Sequence, residues 1–285
     1  VYKGLEKMSA ITYRAIGIKI FAVLMIFVFM KEPNQYYMVP MFTAIGNIVA
    51  MIFVYRHLYS KMNIRFVKIK WSDIFSELKA SSHFFLSRIS TTVYNQLNTI
   101  ILGTMDVILS GFSKAADSVL NAARTGIISP VSDSLYPHMI RTRNFSLIKK
   151  TLKYGLPILI AGCSVVYIIA PPACNIWLGE NSGPGVASAI RWLMPTVVIA
   201  LPNYILGFPT LGAMGLSKHV NNSTIFGTVV YAIGCGIIYF SGNLGMQTLC
   251  LMTCVTEFFV LLYRIAAVYR NRHLMQEETP AEAVK

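Results

Sequence analysis

The stretch Ala116–Pro137, ADSVLNAARTGIISPVSDSLYP, has enough apolar residues to cross a lipid bilayer, yet it carries Asp117, Asn121, Arg124 and Asp133. About twenty residues of helix span the roughly 30 Å of a hydrocarbon core. Seven further runs share that length, at 10–30, 36–55, 80–103, 154–173, 188–213, 220–240 and 245–267, and the quoted stretch lies within an eighth, 115–137. In lipid each run must be helical, because every backbone donor and acceptor has to be satisfied within the segment. An all-α, polytopic membrane bundle of about eight helices is the predicted fold.

Composition agrees. The 285 residues are 55% hydrophobic and only 13% charged, with a mean hydropathy of +0.56. The net charge of +13 would point to nucleic acid in a soluble protein, but its placement gives another explanation. Assigned to alternating sides, eighteen Lys and Arg fall on the side of both termini, including Arg264 in the C-terminal tail, and two, Lys31 and Lys114, on the other. That bias predicts that both termini and the basic loops are cytoplasmic, and it makes a nucleic-acid partner unnecessary. Five cysteines without a CxxC or an accompanying His cluster predict packing, with neither metal nor cofactor. No P-loop, GxSxG or HExxH motif occurs, so a carrier fits better than an enzyme.

The loop 56–79 is the longest polar connection. Within it Trp71, Ile74, Phe75 and Leu78 fall at i, i+3, i+4, i+7, capped by Ser72 or Asp73, which predicts a short helix lying on membrane lipid. The predicted organisation is therefore two helices in 1–57, a basic loop with an interfacial helix in 58–79, six helices in 80–270 and a tail in 271–285. Residues 171–185 read as an external loop and SGNLG at 241–245 as a tight turn. Pro195, Pro202, Pro209, Gly207 and Gly212 predict a kinked or interrupted helix over 188–213.

Two polar stripes bear on function. Lys114, Asp117, Asn121 and Arg124 are spaced i, i+3, i+7, i+10, on one helical face. A charge near mid-span costs about 2.5–3.5 kcal/mol on insertion scales, so Arg124 should face the interior or a wet cavity. No carboxylate lies within i±4 of it, which leaves a carboxylate on another helix, backbone carbonyls, water or a ligand anion. Gly126 and Pro130 loosen the helix just beyond it. In 80–103, Arg88, Thr92, Asn95 and Thr99 are spaced i, i+4, i+7, i+11, flanked by Thr91 and Asn98, with an apolar face opposite. One such stripe serves equally well as interhelical glue; two together predict a hydrophilic cavity, whose basic lining favours an anionic substrate. Arg14 and Lys19 are placed to snorkel and Arg191 to anchor at the interface. Glu257 and Asp117 are the ion-coupling candidates, Glu257 serving either as a proton or sodium site or as the partner of a buried arginine.

Several stretches resemble bacterial polysaccharide flippases. YKGLEKM at 2–8 resembles the start of their fifth helix, with Lys3 where glutamine is usual. VYNQLNTIILG at 93–103 is similar to the seventh-helix motif, LYPHMIR at 135–141 to the end of the eighth helix, LPNYILGFPTLGAMGLSK at 201–218 to the tenth and CVTEFFVLLYR at 254–264 to the twelfth. Their order identifies the chain as similar to the O-antigen and polysaccharide flippase branch of the multidrug/oligosaccharidyl-lipid/polysaccharide exporter superfamily. By that comparison it holds helices five to twelve of a twelve-helix, two-lobe transporter, truncated at the N-terminus. The resemblance implies an undecaprenyl-diphosphate-linked oligosaccharide as substrate, moved across the bacterial inner membrane by alternating access. It further implies partnership with a glycan polymerase and glycosyltransferases. On it, Arg88 and Arg124 receive diphosphate or acidic sugars, and Asn95, Asn98 and Asn121 bond sugar hydroxyls. Alternative readings are a drug/cation antiporter of the same superfamily, a membrane-embedded glycan polymerase or acyltransferase, and an inactive truncated remnant.

Overall fold

The computed structural model describes residues 8–32, 35, 37–61, 71–142 and 145–275. The 2–7 part of the first resembling segment, most of the 58–70 loop and the tail beyond 275 lie outside these residues. So do the side chains of Arg14, Lys19 and Asn95.

Among the described residues eight α-helices run in order: α1 (Met8–Phe29), α2 (Met38–Lys61), α3 (Trp71–Met105), α4 (Val107–Ala123), α5 (Ser129–Thr142), α6 (Ser146–Ile205), α7 (Ser217–Phe240) and α8 (Met246–Arg270). Wider, π-helical turns join α4 to α5 at Arg124–Ile128 and follow α6 at Leu206–Gly212. No strand occurs among the described residues. Met38–Arg56, Ser146–Gly212, Ser217–Phe240 and Met246–Arg270 have the length and hydropathy to cross a membrane, and the second of these covers two of the predicted spans. The protein is an all-α, polytopic membrane bundle.

Contacts divide the chain into Val1–Ile74 and Phe75–Lys285. In the first unit, α1 and α2 form a hairpin. Gly46 lets the helices approach so closely that a Cβ there would stand 3.3 Å from Ile18 and Phe21. The rings of Phe29 and Phe42 lie 5.6 Å apart.

In the second unit, Asp106 alone turns α3 into α4. Its extended backbone (φ −156) and its carboxylate, which accepts from the Ile108 N–H at 2.7 Å, make it the N-cap of α4. Ser110 then donates to the Thr99 carbonyl at 3.0 Å, drawing the two helices together. α6 is the largest departure from expectation. Straight, its 60 residues would reach about 90 Å, but Gly179 adopts φ 76, ψ 170 and folds it into two arms, 146–178 and 180–205. The expected loop at 171–185 is therefore a single-residue turn, set by a left-handed conformation that glycine adopts without strain. Gly183 keeps the arms in contact: a Cβ there would meet the Asn175 Cα at 2.8 Å.

The expected interfacial helix is not separate. Trp71 to Leu78 form the first turns of α3, with all four apolar side chains exposed. Further along α3, Ser87 and Ser90 are buried while Phe85, Ile89, Val93 and Ile100 point outward. That is the pattern of a lipid-facing helix, which buries small polar residues and turns its apolar stripe to the hydrocarbon. The core of the second unit packs Ala116, Leu120 and Ile128 against Ala189, Ile190, Leu193 and Val197 of the second α6 arm. α8 packs against both α6 and α7.

Gly183→Val should drive the α6 arms apart and cost about 1–3 kcal/mol of stability. The check is the thermal unfolding midpoint of the purified protein in detergent. An unchanged midpoint would mean that the turn tolerates a side chain.

Candidate functional site

A polar recess opens among α3, α4, the second arm of α6 and α8. Asn98, Thr99, Ser113, Asp117, Arg124, Leu193, Thr253 and Glu257 line it. About 30 Å³ is open to water, room for one or two molecules.

Arg124 is its centre. Its side chain is 18% exposed, and Nη1 lies 3.9 Å from Asp117 Oδ1. Nη2 donates to Thr196 Oγ1, a hydroxyl with no solvent exposure that in turn donates to the Leu193 carbonyl at 2.6 Å. Nε is buried with no partner among the described residues. The Asp117 contact corrects the expectation that no carboxylate on the same helix can reach Arg124. Seven residues rise about 10.5 Å along a helix axis, and a long side chain leaning toward the N-terminus covers most of that. Asp117 is shared, since Lys114 Nζ lies 3.8 Å from its other oxygen. Arg124 also opens the π-helical segment, where Gly126 and then Pro130 weaken the regular ladder.

Of the two arginines on the polar stripes, Arg124 lines the recess and Arg88 does not. Arg88 is exposed on α3, and Asn121 is exposed on α4. Asn98 does line it, but both ends of its amide are engaged: Nδ2 donates to Thr253 Oγ1 at 2.8 Å, and Oδ1 accepts from the hydroxyl of buried Tyr231. The recess thus holds two carboxylates, Asp117 and Glu257, around one guanidinium. The basic lining inferred from the stripes is a consequence of reading helices singly, because Glu257 arrives from α8, more than 130 positions away.

Glu257 accepts from Asn203 Nδ2 at 2.8 Å, which ties α8 to the second α6 arm. The polar stripes do not single out Asn203, Thr196 or Thr253. Arg264, counted above with the cytoplasmic charges of the tail, lies inside α8 and is bonded to Ser223 and Asn203. The spacing Thr253, Glu257, Arg264 (i, i+4, i+11) puts all three on one face of α8, and was the available signal. Arg191, expected at the interface, donates to the Tyr167 carbonyl at 3.1 Å, with its guanidinium 4.8 Å from the centre of the Tyr167 ring. The five cysteines are free and buried. Among the described residues no group of His, Cys, Asp and Glu could hold a metal ion.

Residues 1–143 match the family model described as polysaccharide biosynthesis protein. The chain belongs to this family. Two curated relatives, each proposed by its name as an O-antigen transporter, extend the match. One, from Shigella dysenteriae, is 26% identical over 280 residues, covering 94% of this chain and 68% of the relative. The other, from Escherichia coli strain K12, is 24% identical over 241 residues, covering 82% of this chain and 56% of the relative. No solved structure is significantly similar to the chain. Family membership agrees with the resemblance drawn from the helix motifs.

Replacing Asn98 with Leu removes two bonds, one joining α3 to α7 and one joining α3 to α8. Interhelical hydrogen bonds of this kind are worth about 0.6–2 kcal/mol each, so Asn98→Leu should lower the unfolding midpoint in mixed micelles by an amount within reach of that measurement. A midpoint equal to the parent's would remove Asn98 from the framework.

Proposed function

We propose that this protein moves an undecaprenyl-diphosphate-linked oligosaccharide, an O-antigen or similar surface-polysaccharide unit, across the bacterial inner membrane by alternating access. The names of its relatives support the substrate class. The excess of Lys and Arg on one side supports an orientation with both termini cytoplasmic. The observation that carries the chemistry is Arg124: a guanidinium halfway along the 107–142 run, lining a polar recess, with one N–H unused. A charge in a membrane helix is costly and marks a polar pathway when its donors are not all spent on the framework, and a guanidinium fork matches phosphate oxygens.

The recess has room for a water molecule or two but not for a phosphate, so loading requires the surrounding helices to part. Asp117 is then the competitor for the guanidinium. Neutralising Asp117 with a proton or a cation releases Arg124 to the diphosphate, which makes Asp117, with Glu257 beside it, the coupling group. Arg88 and Asn121, exposed on α3 and α4, and Asn95 take acidic sugars or sugar hydroxyls on this reading. Asn98 serves the framework. The same pathway would supply glycosyltransferases upstream and a polymerase downstream.

The two carboxylates favour one second reading, a drug/cation antiporter of the same superfamily. The deciding experiment expresses the native gene in bacteria that make the matching lipid-linked unit but lack their own flippase. Arg124→Ala should abolish surface glycan while membrane insertion is retained, and Arg124→Lys should keep part of it. Normal glycan from an inserted Arg124→Ala protein would end the proposed role. Resistance to cationic dyes without surface glycan would establish the antiporter.

A further inference from the structure

α8 carries a second partly buried arginine that does not line the recess. Arg264 donates through Nε to Ser223 Oγ at 2.9 Å and through Nη1 to the backbone carbonyl of Asn203. Asn203 is 3% exposed and is among the last four residues of α6, which lack regular i+4 partners; its carbonyl accepts from the Leu206 N–H in a tightened turn and takes Arg264 as a second donor. The chain then enters the π-helical Leu206–Gly212, where Gly207 departs from helical geometry (ψ −121) and Pro209 has no N–H to give. Ile205, four residues before that proline, has its carbonyl satisfied instead by the Thr210 hydroxyl at 2.7 Å. Asn203 has Arg264. A cation at the C-terminal end of a helix is favoured by the helix dipole, and Gly207 makes room for it: a Cβ there would stand 3.2 Å from Arg264 Nη1.

Two turns earlier on α8, Glu257 accepts from the Asn203 amide. α8 therefore grips this one residue twice, by its side chain and by its carbonyl. Thr196, the partner of Arg124, lies two turns before Asn203 on the same arm. Arg191 shows the same chemistry independently. It donates to the Tyr167 carbonyl, whose helical donor is missing because residue 171 is proline.

We infer that Arg264 is a positioning residue for the transport step proposed above, on which this reading rests. It caps the broken end of α6 and sets the bend that holds Thr196 against Arg124. It does not touch substrate.

The test combines thiol labelling with the glycan assay. Cys254 Sγ contacts the Trp192 carbonyl at 3.3 Å, across the same α6–α8 seam. Labelling with N-ethylmaleimide, resolved by mass spectrometry, reports whether that seam loosens. In Arg264→Met, Cys254 should label roughly fivefold faster or more while Cys163, in the first α6 arm, keeps its rate. Arg264→Lys should stay within about twofold of the parent, because an ammonium still donates to the Asn203 carbonyl. Gly207→Ala should speed Cys254 labelling in the parent and add little in the Arg264→Lys background, where the slimmer ammonium is not crowded. Equal effects in both backgrounds would show that the two residues do not interact. Surface glycan should fall with the labelling change. If labelling responds but even the parent exports no glycan, the cap stands and the proposed function fails. If Cys254 labels at the parental rate in both Arg264→Met and Gly207→Ala, the inference is overturned.

Discussion

Arg124 would be surrounded by hydrocarbon on an isolated helix, and the second unit is arranged so that it is not. Asp117 reaches it from one side and Thr196 from the other, so a charge on the 107–142 run joins the second arm of α6. α8 closes the recess with Thr253 and Glu257. The cost of an unshielded charge in lipid makes this a constraint on every element around it. α4 must present one particular face, the α6 arm must place a hydroxyl opposite, and α3 must supply Asn98 and Thr99 where an all-apolar helix would otherwise pack.

The breaks in the helices follow the same logic. A π-helical turn begins at Arg124 and another follows Ile205, and both lie beside partly buried arginines. In lipid a carbonyl released from its helical ladder needs a donor, and this chain supplies guanidinium groups and hydroxyls: Arg264 to Asn203, Arg191 to Tyr167, Thr210 to Ile205. Polar residues inside the bundle thus divide into two kinds. Some, like Arg264 and Asn98, have their hydrogen bonds spent on the framework. Arg124 keeps a donor in reserve, its Nε, buried beside the recess with no partner among the described residues.

Much of this was legible in the sequence. The eight apolar runs correspond to helical stretches, because length and hydropathy are local properties that a bilayer reads directly. The interruption in 188–213 follows from Pro209 and Gly207, and the tight turn at 241–245 from Gly242, which adopts φ 71. Arg124 as the central polar residue follows from its depth in the run. Two local misreadings came from treating loops by composition. Residues 71–78 look like an interfacial helix but simply extend α3, and 171–185 look like a loop although one glycine suffices to reverse the chain.

The sequence by itself determined the all-α membrane class, the apolar runs that become helices and the positions where helices must break. Each of these depends on residues within one or two turns of one another. Only the tertiary structure decided which charges meet. Glu257 joins Asp117 and Arg124, Arg88 stays outside, Arg264 moves from the tail's count into the core, and Asn98 is spent on Tyr231 and Thr253. The physical reason is that a helical face shows what a segment can offer, whereas partners come from helices far apart in the chain, whose rotation is set by packing. Gly183, Ser110 and Thr196 settle that rotation through contacts that no periodicity records.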